Sequence, residues 1–170
     1  MITDVIAEQL KKFSLEPDNF QAWTPKRITD FQKLEKEAFR EELHYSKQEI
    51  YQLGQKPMFE GLLIYQESEI VGAFLLHQAD TSGSLVLNTI IILPKIKGMG
   101  TRILSTLIEQ AAQFGWQELH LDTEFINEKG KALVAFYQRF GMKIETISND
   151  GNVHMSILLK QHHNDTNLND

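Results

Sequence analysis

The chain contains no cysteine. That absence removes disulfides, thiolate-bound zinc, iron–sulfur clusters and a cysteine nucleophile together. Excess basic charge is missing too: 17 Lys and Arg stand against 23 Asp and Glu, a net charge of −6. Such a balance argues against an electrostatic nucleic-acid binder, because neutralising phosphates needs a dense basic face. No apolar run approaches the roughly 18 residues that cross a membrane. The N-terminal segment carries Asp4 and Glu8 among its apolar residues, so it has no secretory apolar core. These absences predict a cytoplasmic protein with neither nucleic acid nor membrane as partner. What is present is ordinary for a globular chain: 42% hydrophobic and 24% charged residues over a length of 170. That length suits one domain able to bury roughly 70% of its unfolded surface.

The segment order predicts a mixed α+β fold. Ile2, Val5, Ile6, Leu10 and Phe13 form a helical stripe within an N-terminal amphipathic helix over 1–15, a candidate dimer contact. Residues 18–24 read as a short strand ended by Pro25. Thr29 with Gln32, and Ser46 with Glu49, have the spacing of capping boxes, so two helices are expected around a kink at 43–45. From Gly61 the period becomes strand-like. Runs 61–66, 70–78 and 84–93 predict an antiparallel meander. A helix carrying Ile103, Leu104, Leu107, Ile108, Ala111 and Phe114 follows, with Gly115 behind it. Then come a strand over 119–125, a helix over 128–140 and a hairpin turning at Asn149-Asp-Gly151. Strand 119–125 should lie parallel to strand 84–93. One domain over 1–160 is expected, with 161–170 a disordered polar tail.

Gly98-Met99-Gly100 sits between a strand end and a helix start. Two glycines let backbone approach a ligand, and a helix N-terminus favours anions. Lys95, Lys97 and Arg102 add local positive charge to an acidic protein. The run lacks the third glycine of a dinucleotide fingerprint and the Gly-Lys-Ser/Thr of a Walker loop. The segment from Lys95 through Gly98 and Gly100 to Arg102 resembles the acetyl-CoA pyrophosphate loop of the GNAT-type N-acetyltransferases. About forty residues on, Phe136-Tyr137-Gln138-Arg139-Phe140-Gly141-Met142 is similar to that superfamily's second hallmark, an aromatic-Tyr run ending in glycine. The likeness spans roughly residues 28–159.

That resemblance implies a mainly antiparallel mixed sheet flanked by helices, with a strand–glycine-loop–helix–strand crossover that binds acetyl-CoA as acyl donor. Lys95, Lys97, Gly98, Met99, Gly100, Thr101 and Arg102 would hold the pyrophosphate, and main-chain groups of Ile90, Ile91 and Ile92 the pantetheine arm. Asn127 offers the asparagine that relatives carry early in the last helix, although Gly130 occupies the aligned position. Tyr137 matches the tyrosine that protonates the departing thiolate. A small-molecule amine or a peptide amine would be the acceptor.

The base is less defined. Strand 84–93 carries no acid; Asn88 and Thr89 are its polar residues. On strand 119–125, His120, Asp122 and Glu124 alternate with apolar residues, so the three share a face. Glu124, nearest the C-terminal end, is the candidate base acting through water, with His77 and Glu60 weaker choices. The acceptor pocket is expected between residues 39 and 59 and the closing hairpin, where Glu41, Glu42 and Glu49 can attract a cationic amine. Histidines and carboxylates lack ligand spacing, so no metal is expected. Three readings stay open: a metabolite N-acetyltransferase, an acetyltransferase of protein N-termini or lysines, and a non-catalytic CoA-binding module.

Overall fold

The computed structural model describes residues 1–94, 96–126 and 131–159. Helix α1 (Ile2–Lys11) leads into strand β1 (Glu16–Phe20). Helices α2 (Pro25–Ala38) and α3 (Lys47–Leu53) follow, joined by a strap, residues 39–46, that contains a 3-10 turn at Glu41–Leu43. Strands β2 (Glu60–Gln66), β3 (Glu69–Gln78) and β4 (Ser84–Ile92) make the meander. Then come α4 (Met99–Gln113), β5 (Glu118–Thr123), α5 (Leu133–Gln138), β6 (Lys143–Ile147) and β7 (Val153–Leu158). The seven strands form one sheet in the order β1-β2-β3-β4-β5-β7-β6. Every neighbouring pair is antiparallel except β4 with β5, which run parallel.

Alternation along the central strands sends side chains to two separate cores. Leu62, Ile64, Phe74 and Leu76 join α1, α4 and α5 in one cluster, while Leu63, Ala73 and Leu75 join α2 and α3 in the other. The period of two in these strands produces this division, since one face cannot hold consecutive residues. Sheet and helices thus form three layers, with β2 and β3 buried along most of their length.

Local chemistry explains most element boundaries and corrects several expectations. Helix α2 starts earlier than the Thr29 box predicts. Thr24 is the N-cap, accepting a hydrogen bond from the Arg27 amide at 3.3 Å, and Pro25 is the first helical residue. A proline already fixed near helical φ sets the start there, leaving Thr29 to donate to the Pro25 carbonyl from inside the helix at 3.0 Å. The first strand shifts with it, to Glu16–Phe20. The Ser46 box forms as expected, with Ser46 and Glu49 each bonded to the other's amide.

Helix α1 buries Ile2, Ile6 and Leu10 as predicted, but Thr3 and Ala7 take the flanking places and Phe13 lies outside the helix, exposed. The stripe is consumed within the chain's own core and is not a dimer contact. Glu60, one of the weaker base candidates, is nearly inaccessible and accepts from both the amide and hydroxyl of Thr3 at 2.9 Å. A carboxylate at a helix N-terminus completes amides that have no partner within the helix.

In α4 the buried face is Met99, Ile103, Leu104, Thr106, Leu107 and Ala111, and Phe114 is exposed. Gly115 terminates it at φ +84°, as expected of glycine beyond a C-cap. The last helix is shorter than the 128–140 expected: within the described residues it spans Leu133–Gln138. An Ile126–Ala132 bridge and a hydrogen bond from the Leu133 amide to the Phe125 carbonyl tie the start of α5 to the end of β5. Lys95, Asn127 and the 161–170 tail lie outside the described residues.

Candidate active site

Strands β4 and β5 pair only over Ser84–Val86 and Glu118–His120. Beyond that point they part. Opposite β3, the register moves from Leu76↔Leu87 to Leu75↔Thr89, so Asn88 is an extra residue in β4. Such a bulge bends its strand and sharpens its twist. It also reverses the inside-outside parity. Leu85 and Leu87 before it face the α4 core, as do Ile90 and Ile92 after it, while Ile91 and Leu93 turn to the α2–α3 core.

The parting creates a cleft of about 450 Å³, a size within the usual range of ligand sites. One wall is β4 from Val86 to Pro94 and the other is Leu121 to Glu124 at the end of β5. Leu133 and Tyr137 of α5 close one side, Phe39, Leu43 and Tyr45 of the strap the other, with Lys131 and Asn152 at the rim. The sequence-predicted Ile90, Ile91, Ile92, Tyr137 and Glu124 therefore meet around one space. Their chain separations gave no measure of that.

Beyond Pro94 the chain enters the glycine loop. Gly98 is the N-cap of α4 in the left-handed region, at φ +76°. Glycine adopts this conformation without the penalty a Cβ imposes. At Gly100 a Cβ would meet only Ile92 Cγ1, at 3.9 Å, so the approach to this backbone is open. Lys97, Gly98, Thr101 and Arg102 are exposed, while the Met99 side chain is buried in the core. Only main-chain groups of Met99 can thus serve a ligand. Arg102 lies with its guanidinium 4.6 Å from the Phe13 ring centroid, so the residue after α1 braces this cation.

Tyr137 sits on the inward face of α5 beside Val134, with the Phe136 ring edge-on at 5.2 Å. Burial alone pushes its phenol up to about 12, because a phenolate in an apolar wall loses its hydration. It is a protonated hydroxyl at any working pH, able to donate.

The ionisable trio of β5 is split among partners. His120 Nε2 lies 3.1 Å from Glu118 Oε2, and His154 Nδ1 lies 2.9 Å from Asp122 Oδ1; the two imidazoles stack at 5.4 Å. Glu124 lies just past the strand. Arg40 of the strap grips it through both guanidinium nitrogens, Nη1 to Oε2 at 3.3 Å and Nη2 to Oε1. Such a fork fixes the carboxylate plane. His77 is buried, with Nδ1 2.8 Å from the Gln78 carbonyl, and is not a lining residue of the cleft. Of the acids expected to attract an amine, Glu49 is committed to capping α3 and Glu41 and Glu42 are exposed in the 3-10 turn. Among the described residues no group of three or more His, Asp or Glu is arranged to hold a metal.

Tyr45 and Asn152 line the cleft and Arg40 reaches it through Glu124; all three lie in the stretches expected to frame the acceptor, though no motif singled them out. The Tyr45 hydroxyl donates to Asn88 Oδ1 at 3.2 Å, and Thr89 donates to the same oxygen at 2.9 Å. Only the bulge puts Asn88 within reach of the strap. No periodicity in β4 announces it.

The fold is shared with solved structures. The ribosomal-protein-S18-alanine N-acetyltransferase of Escherichia coli superposes with a TM-score of 0.64 at 15% identity, covering 88% of this chain and 97% of that one. The loading GNATL domain of CurA from Lyngbya majuscula gives 0.64 at 20%, covering 84% and 98%. Naa50 of Arabidopsis thaliana, solved with the bisubstrate analogue CoA-Ac-MVNAL, gives 0.59 at 16%, covering 85% and 98%. None of the curated proteins compared with the sequence matches it significantly. The model of the acetyltransferase (GNAT) family matches residues 21–142, a span running from the turn before α2 through both parted strands to the end of the α5 hallmark. The chain therefore belongs to the GNAT acetyltransferase family.

Proposed function

We propose that this protein transfers an acetyl group from acetyl-CoA to a primary amine by direct attack in a ternary complex, within one domain spanning residues 1–160. The observation that carries the reading is the cleft between β4 and β5, lined by β4 as far as Pro94 and by Tyr137, with the glycine loop and the start of α4 following Pro94 in the chain. The pyrophosphate binds at the first turn of α4, to main-chain amides between Lys97 and Thr101 and to the Arg102 side chain, with Lys95 as a further contact; the Arg102 amide itself is bonded to the Gly98 carbonyl. The pantetheine arm lies along the edge that β4 offers at Ile90–Ile92 where β5 has left it, as an added strand would. Asn127 is a further candidate contact to CoA.

The neutral amine attacks the thioester carbonyl carbon, forming the C–N bond. As the tetrahedral intermediate collapses, the C–S bond breaks and the sulfur takes the Tyr137 proton. The proton lost from the amine passes through water to Glu124, and Tyr137 is reprotonated from solvent. Arg40 occupies part of Glu124, so the remaining lone pairs face this task. Holding both substrates in one cleft supplies much of the acceleration, since effective molarity is worth roughly 7–11 kcal/mol in ideal cases. Without a cysteine in the chain no thiol can form an acyl-enzyme, which favours direct transfer.

Thiol release from acetyl-CoA, followed against amino acids, polyamines, aminoglycosides and short peptides, tests the proposal. Turnover with at least one amine is expected, and acetyl-CoA should raise the melting temperature by mass action. A melting shift without release of thiol by any amine would identify a CoA-binding module. No shift at millimolar acetyl-CoA or CoA would remove the cofactor assignment.

A further inference from the structure

Beneath the strap lies a carboxyl group that neither the fold's general chemistry nor the reaction above employs. Glu35, on the last turns of α2, is 1% exposed. Its Oε1 accepts a hydrogen bond from the Tyr45 amide at 3.2 Å, and Oε2 has no protein partner. Burying a carboxyl is costly, and an alanine or leucine there would extend the apolar face of α2 at no such cost. What Glu35 obtains in return is a hold on Tyr45 from ten residues away.

Tyr45 is fixed at three further points. Gln32 Nε2, one turn earlier on α2, donates to its carbonyl at 3.3 Å. Its ring stacks on Phe31, with centroids 6.4 Å apart and planes 30° from parallel. Its hydroxyl donates to Asn88 at the bulge. One residue thereby links the strap, the helix beneath it and the bent strand that forms the cleft's floor. Phe39, Leu43 and Tyr45 are the strap's lining residues of the cleft, on the side away from α5. Where the strap sits decides how wide that side is.

We infer that Glu35 is a positioning residue for the acceptor: by holding the Tyr45 amide it sets the strap against Asn88 and so shapes the half of the cleft that receives the amine. This rests on the proposed transferase activity. Glu35 touches neither substrate. The acyl-CoA half, built from the glycine loop, Ile90–Ile92 and α5, contains none of these ties. Loss of Glu35 should therefore separate the two substrates kinetically.

Glu35→Met keeps side-chain length and suits the apolar surroundings while deleting the acceptor oxygen. Acceptor KM should rise about ten-fold, the effect of losing one ordinary hydrogen bond, while KM for acetyl-CoA stays at the parent value. Glu35→Gln retains an oxygen for the Tyr45 amide and should return acceptor KM toward the parent. Tyr45→Phe, which cuts only the tie to Asn88, should raise acceptor KM in the same way, and its combination with Glu35→Met should be less than additive. Tyr45→Phe alone keeps the inference testable should Glu35→Met fail to fold. Unchanged acceptor KM in an active, folded Glu35→Met or Tyr45→Phe protein overturns the inference and leaves the transferase reading standing. Equal rises in KM for both substrates, or a Gln variant no better than Met, overturn it as well. A parent protein that releases no thiol with any amine overturns both together.

Discussion

In the proposed reaction the chemistry turns on Tyr137. Its ring meets that of Phe136 edge-on, and the residue lines the cleft. Tyr137→Phe keeps the ring and removes the acid. Single-turnover rates should fall by roughly the 10²–10⁴-fold assigned to general acid catalysis, with melting temperature and acyl-CoA affinity little changed. A rate within a few-fold of the parent would make Tyr137 a packing residue. Gly100 tests the glycine loop. Space surrounds its absent Cβ, and a carboxylate in the first turn of α4 suits the helix dipole. Gly100→Glu should therefore fold normally yet lose acyl-CoA affinity in a calorimetric titration, because its charge would stand in the phosphate's place. Unchanged affinity would put the phosphates elsewhere. Gly98 is a poorer probe, since any side chain there is strained at φ +76°. The glycine turn at the start of α4 was legible locally as a strand-to-helix turn, whereas Tyr137 was singled out by the family resemblance of the run that holds it. Tyr45 and Asn88 were not legible as a pair, since nothing in either segment encodes their meeting across 43 positions.

Among the elements, the two proposed caps had different fates for a stated reason. Ser46 and Glu49 have no competitor upstream, and they cap α3. Thr29 and Gln32 do have one, the Thr24-Pro25 step, and the helix begins there instead. Because α3 is only 7 residues long, its cap is a large part of its stability. Ser46→Ala should cost about 1 kcal/mol in urea unfolding, and a loss below a few tenths would show that packing of Ile50 and Leu53 holds α3 alone. Strand β4 shows the limit of pattern reading. Its continuous Ile90-Ile91-Ile92 run satisfies either parity, so which isoleucines face α4 is settled by the extra residue at Asn88 and not by hydrophobicity.

For the molecule as a whole, Glu35 links the site to stability. Desolvation pushes its carboxyl up from 4.5 to about 7, against the opposing pull of the Tyr45 amide and nearby His44, with Glu49 adding to the rise. Between about pH 4.5 and 7 the unfolded chain releases this proton and the folded one keeps it. The group's contribution to stability is therefore present at the low end of that window and is lost as pH rises toward 7. Relative to Glu35→Gln, the parent's urea midpoint should decline across that window and then level off. A parallel pH dependence in the two proteins would show that Glu35 does not titrate there.

By itself the sequence determined the type and order of the elements, the turns of the meander and the strand-to-helix turn at Gly98. Each of these follows from residues within a few positions of one another, which is the reach of hydrophobic period, caps and turn chemistry. Tertiary structure alone decided that β4 and β5 part after three paired residues, that α1 spends its stripe inside the core, and that Arg40 meets Glu124 from 84 positions away. Those outcomes depend on how layers pack and on one bulge that redirects a strand. The energy that selects them is shared among residues far apart in the chain, and no local pattern carries it.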